Sequence, residues 1–175
     1  MATSISLHTF SRNDILHHLD ALTDILENCI NGGASVSFML PCQPDVLRAW
    51  WTTIADSVEV QERLLLVALD ASQQPVGTVQ LIVDQPENQP HRADVAKLLV
   101  HERARRQGVA GRLMSALEVQ AREHHKTLLV LDTATGSGAE TFYRRNGWIK
   151  VGEIPDYALM PDGALTATSV FYKQM

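Results

Sequence analysis

The sequence predicts a single α/β domain with a mixed central sheet of about seven strands and helices on both faces. First, apolar runs of strand length alternate with stretches of helical period along the whole chain. Second, residues 92–132 read strand, helix, strand, a unit typical of parallel strands joined by a right-handed crossover. Third, the 175 residues are 45% hydrophobic and 20% charged. This is enough for one hydrophobic core, so we place one domain over residues 1–175.

The first third of the chain is predicted to form a short strand and two helices. The strand covers residues 5–9, and Ser11 then caps a helix whose apolar residues keep helical spacing. The glycines in Asn31-Gly32-Gly33 end this helix, because glycine readily adopts a left-handed turn. A small apolar loop follows at residues 34–40, and Pro44 opens the second helix.

The rest of the chain alternates strands and helices. The strands are continuous apolar runs bounded by turn residues, and we place them at residues 63–69, 76–83, 92–100, 127–132, 148–153 and 166–173. The helices have apolar stripes and are expected at about 109–124 and 137–146. The flanking hairpins should be antiparallel. A loop with two prolines and a glycine separates the last two strands, and we interpret residues 152–166 as a long insertion over a pocket.

Composition and charge exclude several classes of function. The net charge of −5 argues against a nucleic-acid-binding surface. No apolar run approaches the ~20 residues of a membrane span, and the first residues, MATSISLHTFSRND, do not resemble a secretory signal. Cys29 and Cys42 match no metal-ligand spacing. We therefore expect a cytoplasmic protein, a monomer or homodimer, with reduced cysteines and with no metal, membrane or nucleic-acid partner.

Positive charge is concentrated in one turn. Between His101 and Arg112 there are four arginines and one acid, directly after the strand at 92–100. A turn that opens a helix leaves backbone N–H groups unpaired, and the helix dipole favours an anion there. Gly108 lets the backbone approach a ligand closely. The pattern predicts a pyrophosphate site, although neither a Walker loop nor a three-glycine dinucleotide fingerprint is present.

Two motifs point to a known family. Arg105-x-x-Gly108-x-Ala110 resembles the Gln/Arg-x-x-Gly-x-Gly/Ala motif of the Gcn5-related N-acetyltransferase (GNAT) family, which in that family holds the pyrophosphate of coenzyme A. The stretch from Ala139 to Trp148 resembles the family's helix A-x-x-F-Y-x-x-x-G-[FWY]. The resemblance implies the three-layer GNAT fold and acetyl-CoA as cosubstrate.

The resemblance also implies roles for individual residues. The cosubstrate-binding residues would be Leu98, Leu99, Val100, Arg105, Arg106, Gln107, Gly108, Val109, Ala110, Gly111 and Ser137. The pantetheine arm would pair with the strand at Leu98–Val100, which requires that strand to diverge from the one at 127–132. The N–H of Leu99 or Val100 would stabilise the oxyanion, and Tyr143 would protonate the thiolate. Asp132 or Asp94 would accept the amine's proton.

Several segments further resemble the tabtoxin-resistance acetyltransferases, including residues 32–39, 92–98, 131–133 and 151–157. That likeness implies a small amino-acid-like or antibiotic amine as acceptor, with Ser35, Phe38 and Asp132 as substrate-binding residues.

Simpler structural roles remain open for three of these residues. Tyr143 could be a core aromatic residue, Asp132 a loop cap, and Asp94 a partner of Arg92 or Lys97. At the level of function, an acetyl-CoA sensor without turnover and a protein acetyltransferase are the alternatives.

Overall fold

Seven strands form one mixed sheet within residues 4–175, the part of the chain that the computed structural model describes. The strands are β1 (Ser6–Phe10), β2 (Arg63–Leu69), β3 (Pro75–Ile82), β4 (Arg92–Val100), β5 (Leu128–Ala134), β6 (Ile149–Leu159) and β7 (Leu165–Gln174). Their order in the sheet is β1-β2-β3-β4-β5-β7-β6. Only β4 and β5 are parallel neighbours, as the strand–helix–strand unit predicts. Residues 1–3 of the predicted domain lie outside the described residues.

Helices cover both faces of this sheet. They are α1 (Arg12–His17), α2 (Leu19–Asn31), α3 (Pro44–Glu59), α4 (Val109–Glu123) and α5 (Gly138–Arg145), and a short 3-10 turn covers Glu102–Ala104. One core cluster joins α4 and Tyr143 to one face of the sheet, and a second joins α1–α3 to the other. The face covered by α1–α3 is called the acceptor face below. The predicted α/β class and three-layer arrangement are confirmed.

The first predicted helix is divided in two at His18. Its N-terminus forms as expected, because the Ser11 hydroxyl accepts from the Asp14 amide and the Asp14 carboxylate accepts from the Ser11 amide. At His18 the backbone leaves helical geometry, with φ −101° and ψ 21°, and its ring stacks on Phe10 at 5.2 Å. The prediction of one continuous helix was wrong, because the apolar spacing continues unbroken across the bend.

The last hairpin also differs from the prediction. The strand expected at 148–153 extends to Leu159, and the register shifts between Ile154 and Ala158. This irregularity accommodates Pro155 in an edge strand, where a missing N–H is tolerated. The supposed insertion is therefore mostly strand, and a short turn carries the chain back from Met160.

Helix α4 packs directly on β3 at Gly77, where there is no room for a side chain. A Cβ at Gly77 would lie 3.0 Å from Val109 Cγ1 and 3.2 Å from Leu113 Cδ1. Both leucine and valine side chains are buried, at 0% and 2% exposure. The start of α4 is therefore fixed against the sheet, directly after the turn that ends β4.

Candidate active site

The strands β4 and β5 separate soon after they begin. They pair only at Arg92–Leu128, Ala93–Leu129 and Asp94–Val130. Beyond these residues β4 pairs only with β3, while β5 continues to pair with β7 as far as Ala134. The predicted gap is confirmed. Backbone groups of β4 that face the gap have no strand partner, so they can pair with an extended ligand.

A bulge in β4 lies beside this gap. The register with β3 shifts between Thr78 and Gln80, so one β3 residue opposes two β4 residues. Lys97 takes a positive φ of 53° there, and the Thr78 hydroxyl donates to the Lys97 carbonyl at 3.1 Å. Leu99 is buried in the core on the acceptor face, while Leu98 and Val100 are half-buried at the gap.

The predicted anion-binding turn follows β4 and opens α4. Gly108 occupies the N-cap position in the left-handed region, with φ 74° and ψ 12°, and a Cβ there would meet no atom within 4 Å. The Arg112 amide donates to the Gly108 carbonyl at 3.1 Å. The preceding amides of the helix, up to Gly111, therefore have no intrahelical acceptor. The first turn of α4 carries no acidic side chain, so nothing negative opposes an anion.

The arginine side chains of this turn differ in their contacts and exposure. Arg105 Nε donates to the Val100 carbonyl at 3.2 Å, and its guanidinium lies against Cys29 and Gly32 at the end of α2. Arg103 donates to the Pro75 carbonyl at 3.0 Å. Arg106 is exposed, with a positive φ of 60°. The structure thus gives the Arg105 side chain an anchoring task, and its part in phosphate binding stays a prediction.

The turn is attached to α2 by further contacts. The Glu102 amide donates to Asn28 Oδ1 at 3.0 Å, and His101 Nε2 lies 3.2 Å from Asp24 Oδ2. Gln107 is exposed and donates to the Arg103 carbonyl. The end of β4 and the end of α2 are therefore held together as one unit.

Tyr143 lies on the other side of the gap, on α5. Its ring packs against Phe142, Trp148 and Phe171 at centroid distances of 5.4–5.9 Å, and the residue is 7% exposed. Burial first, and then the negative charge of Asp132, raise the pKa of Tyr143 to about 12. The residue is thus a core aromatic, as one interpretation held, and its hydroxyl keeps its proton at neutral pH.

Asp132 lies on β5 two residues beyond the last pair with β4, where β5 pairs only with β7, and the residue is exposed. The Thr168 hydroxyl donates to Asp132 Oδ2 at 2.6 Å and lies 3.1 Å from the Thr133 carbonyl. Asp132 also acts on Lys97, where its charge opposes the lowering of the lysine's pKa by burial. The carboxylate therefore lies within electrostatic reach of both Tyr143 and Lys97.

Asp94 is already paired. Arg92 Nη1 lies 2.5 Å from its Oδ1, and Gln85 Nε2 donates to its Oδ2 at 3.1 Å. This is the ion pair that the structural interpretation of Asp94 described. Its action as a base stays a prediction, and among the two carboxylates Asp132 has the freer position.

Two of the predicted substrate-binding residues, Ser35 and Phe38, lie in the loop between α2 and α3. The Phe38 ring stands edge-to-face on Trp50 at 5.6 Å, and Ser35 is half-buried nearby in the chain. The Leu40 amide donates to the Pro161 carbonyl at 3.0 Å. The turn between β6 and β7 therefore touches the loop between α2 and α3, and a shallow cavity of about 570 Å³ lies beside this contact.

Ser137 lies at the N-cap of α5, although its side chain makes no capping hydrogen bond. Its hydroxyl is 3.4 Å from Thr133 Oγ1. The helix start is instead closed by Glu140, whose Oε2 accepts from the Gly136 amide at 2.7 Å. The hydrogen bond from the Gly136 amide, followed by the one from Lys150, lowers the pKa of Glu140 to about 2. A contact of Ser137 with the cosubstrate stays a prediction.

Sequence reasoning missed two residues of the site. Thr168, which binds Asp132, lies in a strand of alternating small residues and gives no local signal. Lys97 does give one, since a lysine inside an apolar strand needs a polar partner. Its Nζ donates to Ser37 Oγ at 3.0 Å and lies 5.8 Å from the Trp50 ring centroid.

Neither a metal cluster nor a membrane helix is found in the described part of the chain. From residue 4 onward, no three His, Cys, Asp or Glu side chains come together to hold a metal ion. Over the same residues, each helix is too short or too polar to cross a membrane. Cys29 and Cys42 are free thiols.

Solved structures share this architecture. A protein of Acinetobacter baylyi ADP1, provisionally assigned as an acetyltransferase, superposes with a TM-score of 0.80 at 16% identity, covering 100% of this chain and 95% of that one. The ribosomal-protein-alanine N-acetyltransferase of Brucella melitensis gives 0.78 at 18% identity, with 97% and 99% covered. A Salmonella typhimurium protein, solved with its cofactor acetyl-CoA, gives 0.78 at 15% identity, with 98% and 94% covered.

The sequence itself matches a family model, described as the acetyltransferase (GNAT) family, over residues 22–148. The match includes α3, the diverging strands, the anion-binding turn and α5 with Tyr143. It covers well over half of the chain, and the solved structures share the fold. The chain belongs to the acetyltransferase (GNAT) family.

Proposed function

We propose that the protein transfers the acetyl group of acetyl-CoA to a primary amine of a small molecule, by direct attack of the amine on the thioester. The observation that carries this proposal is the gap between β4 and β5. At one end of it stand the free amides of α4, and across it Tyr143 and Asp132 lie within electrostatic reach of each other. An anion cradle, an open strand edge and a donor–acceptor pair are what acetyl transfer requires.

The turn and β4 would bind the cosubstrate. The amides of residues 106–111 offer donors for the phosphates, and the left-handed Gly108 keeps the space before them free of a side chain. The β4 residues from Leu98 to Val100 offer backbone groups for the amides of the pantetheine arm. An N–H of Leu99 or Val100 aimed at the thioester oxygen would lower the activation free energy by about 3 kcal/mol.

Asp132 is the proposed proton acceptor for the amine. Its carboxylate is exposed at the gap and is oriented by the Thr168 hydroxyl, so it can take a proton directly or through one water. Asp94 is the weaker candidate, because Arg92 and Gln85 already occupy both of its oxygens.

Tyr143 would stabilise the departing thiolate. A thiol has an ordinary pKa near 8.5, whereas that of Tyr143 is about 12. Complete transfer of the phenol proton to the sulfur is therefore uphill. We infer that the hydroxyl donates a strong hydrogen bond to the thiolate, and that the final proton comes from a more acidic group or from solvent.

A small acceptor is supported by the contact between the turn before β7 and the loop before α3. The Leu40–Pro161 hydrogen bond joins the turn between β6 and β7 to the loop that carries Ser35 and Phe38, which narrows the approach for a protein chain. The resemblance to tabtoxin-resistance enzymes agrees with an amino-acid-like or antibiotic acceptor. Free Cys29 and Cys42 fit a reducing compartment, and we propose the cytoplasm. The proposal holds for a monomer or a homodimer.

A panel of primary amines tests the proposal, with a thiol reagent to detect free coenzyme A. The panel contains amino acids, antibiotic amines and a peptide with a free N-terminal alanine. We expect thiol release with at least one small amine and acetylation of its nitrogen by mass spectrometry. Tight binding of acetyl-CoA without thiol release from any acceptor would favour a sensor. Release with the peptide alone would favour a protein acetyltransferase.

A further inference from the structure

Lys97 carries a half-buried positive charge that no carboxylate neutralises at short range. Among the described residues, no carboxylate lies within 4 Å of its Nζ; the nitrogen donates only to the Ser37 hydroxyl and faces the Trp50 ring at 5.8 Å. An ammonium group has three N–H donors. One hydroxyl and one aromatic face leave at least one N–H donor of Lys97 available to a ligand.

Arg63, on β2, is likewise a cation whose hydrogen-bond partners carry no charge. Its Nε donates to Ser57 Oγ at 2.9 Å, and its Nη1 donates to Gln80 Oε1 at 2.8 Å. Both partners are neutral, and the Gln80 amide nitrogen is itself buried without a partner. The Glu62 carboxylate accepts from the Ser57 hydroxyl and forms no salt bridge with Arg63. Its charge opposes the lowering of the pKa of Arg63 by burial.

The two cations are near enough to act on each other. The charge of Arg63 lowers the pKa of Lys97, in the same direction as burial. Asp132 acts in the opposite direction, yet no salt bridge within 4 Å joins its carboxylate to Lys97 within residues 4–175. Two positive groups and one negative group therefore act on one another without a salt bridge, in a protein whose net charge is −5.

We propose that Lys97, reinforced by Arg63, binds the carboxylate of the acceptor, and that the acceptor is an amino acid. This rests on the proposed acetyltransferase function and names its substrate class. A zwitterion fits the separated charges because its amine can lie at Asp132, beside the gap, while its carboxylate replaces the missing anion at Lys97. The Trp50 and Phe38 rings then border the side chain of the amino acid.

Matched pairs of ligands test this assignment. Each L-amino acid of a panel is compared with its own carboxamide, which keeps the amine and the side chain but has no negative charge. Two readouts are taken: thiol release with acetyl-CoA, and calorimetric binding to protein saturated with coenzyme A. We expect the preferred acid to exceed its amide by about 10- to 100-fold in kcat/KM, the range for a hydrogen bond to a charged group.

Three variants isolate the charge. Lys97→Met should remove the preference for the acid by lowering kcat/KM for the acid alone, and Lys97→Arg should retain most of the preference. Arg122→Met is the control for a lost positive charge, because Arg122 is exposed on the last turn of α4. It should leave the ratio unchanged. Far-ultraviolet circular dichroism and thermal unfolding check that each variant is folded.

The outcomes separate this proposal from the proposed function. Equal use of acids and amides, or turnover only of amines that lack a carboxylate, overturns the carboxylate site while acetyl transfer stands. Without turnover of any amine, the calorimetric arm decides. Preferential binding of acids that is lost in Lys97→Met supports the site, and its absence overturns it, while acetyl transfer fails in either case.

Discussion

Substitution of Gly108 by alanine separates the cost of folding from the cost of binding. Gly108 has φ +74°, and a Cβ there would touch no atom within 4 Å. No steric clash contributes, so the destabilisation comes from the left-handed backbone alone, about 1–2 kcal/mol for a residue with a Cβ. A stiffer unfolded chain offsets about 0.4–1 kcal/mol of this. The net loss should be about 1 kcal/mol, a fall in Tm of about 2–4 °C for a chain of this size.

The effect on binding should be larger than the effect on folding. The added methyl group and any relaxation of φ both disturb the amides that we assign to the phosphates. Loss of one hydrogen bond to a charged group costs about 1.5–3 kcal/mol, so the Kd of coenzyme A should rise about tenfold or more. Isothermal titration calorimetry measures this value on protein that thermal unfolding has shown to be folded.

Gly163→Ala is the matched control. Gly163 has φ +94° and likewise no atom within 4 Å of a Cβ, and it lies in the turn between β6 and β7. It should lose a similar amount of stability without loss of coenzyme A affinity. The anion-cradle assignment is refuted if Gly108→Ala binds coenzyme A within twofold of wild type, or if both variants lose affinity equally.

Two further predictions concern α5. Tyr143→Phe keeps the aromatic packing and removes the hydroxyl, so kcat should fall about 100-fold while the Kd of acetyl-CoA is unchanged. Steady-state assays of thiol release measure kcat, and an unchanged kcat in Tyr143→Phe would exclude Tyr143 from the mechanism. Glu140→Gln should lower the free energy of unfolding by about 1–2 kcal/mol at pH 7, allowing for solvent screening. The folded-state pKa of Glu140, about 2, lies below its ordinary 4.5, so this stabilisation is complete above pH 4.5 and is lost as the pH falls towards 2. Urea titrations across that range test it, and a difference that persists at pH 2 would contradict the charge contribution.

The bounds of β2 and β4 were predicted to the residue. Turn residues delimit both strands; β2 is a nearly continuous apolar run, whereas Arg92, Asp94 and Lys97 interrupt the apolar pattern of β4. The gap beside β4 was also predicted, although from the family resemblance and not from the apolar pattern. Hydrophobic period specifies which face of a strand is buried but carries no information on where two strands part.

Three features lay beyond the sequence because backbone irregularity leaves no fixed signature. The bend at His18 interrupts a stripe that remains periodic across it. The irregularity in β6 admits Pro155, which otherwise argues against a strand. The bulge at Lys97 depends on how β4 lies against β3. Of the proposed site, the turn and Tyr143 followed from motifs, whereas Ser37 and Thr168 meet their partners only through tertiary contacts.

The attachment of Arg105 has a thermodynamic consequence. One guanidinium touches the Val100 carbonyl and the end of α2, and α2 leads directly into the loop that carries Phe38. A shift of the anion-binding turn when acetyl-CoA binds would thus be transmitted to the loop between α2 and α3, which we propose contacts the amine. Linkage makes such coupling mutual. If bound acetyl-CoA raises the affinity of the protein for the amine, bound amine must raise its affinity for acetyl-CoA by the same factor.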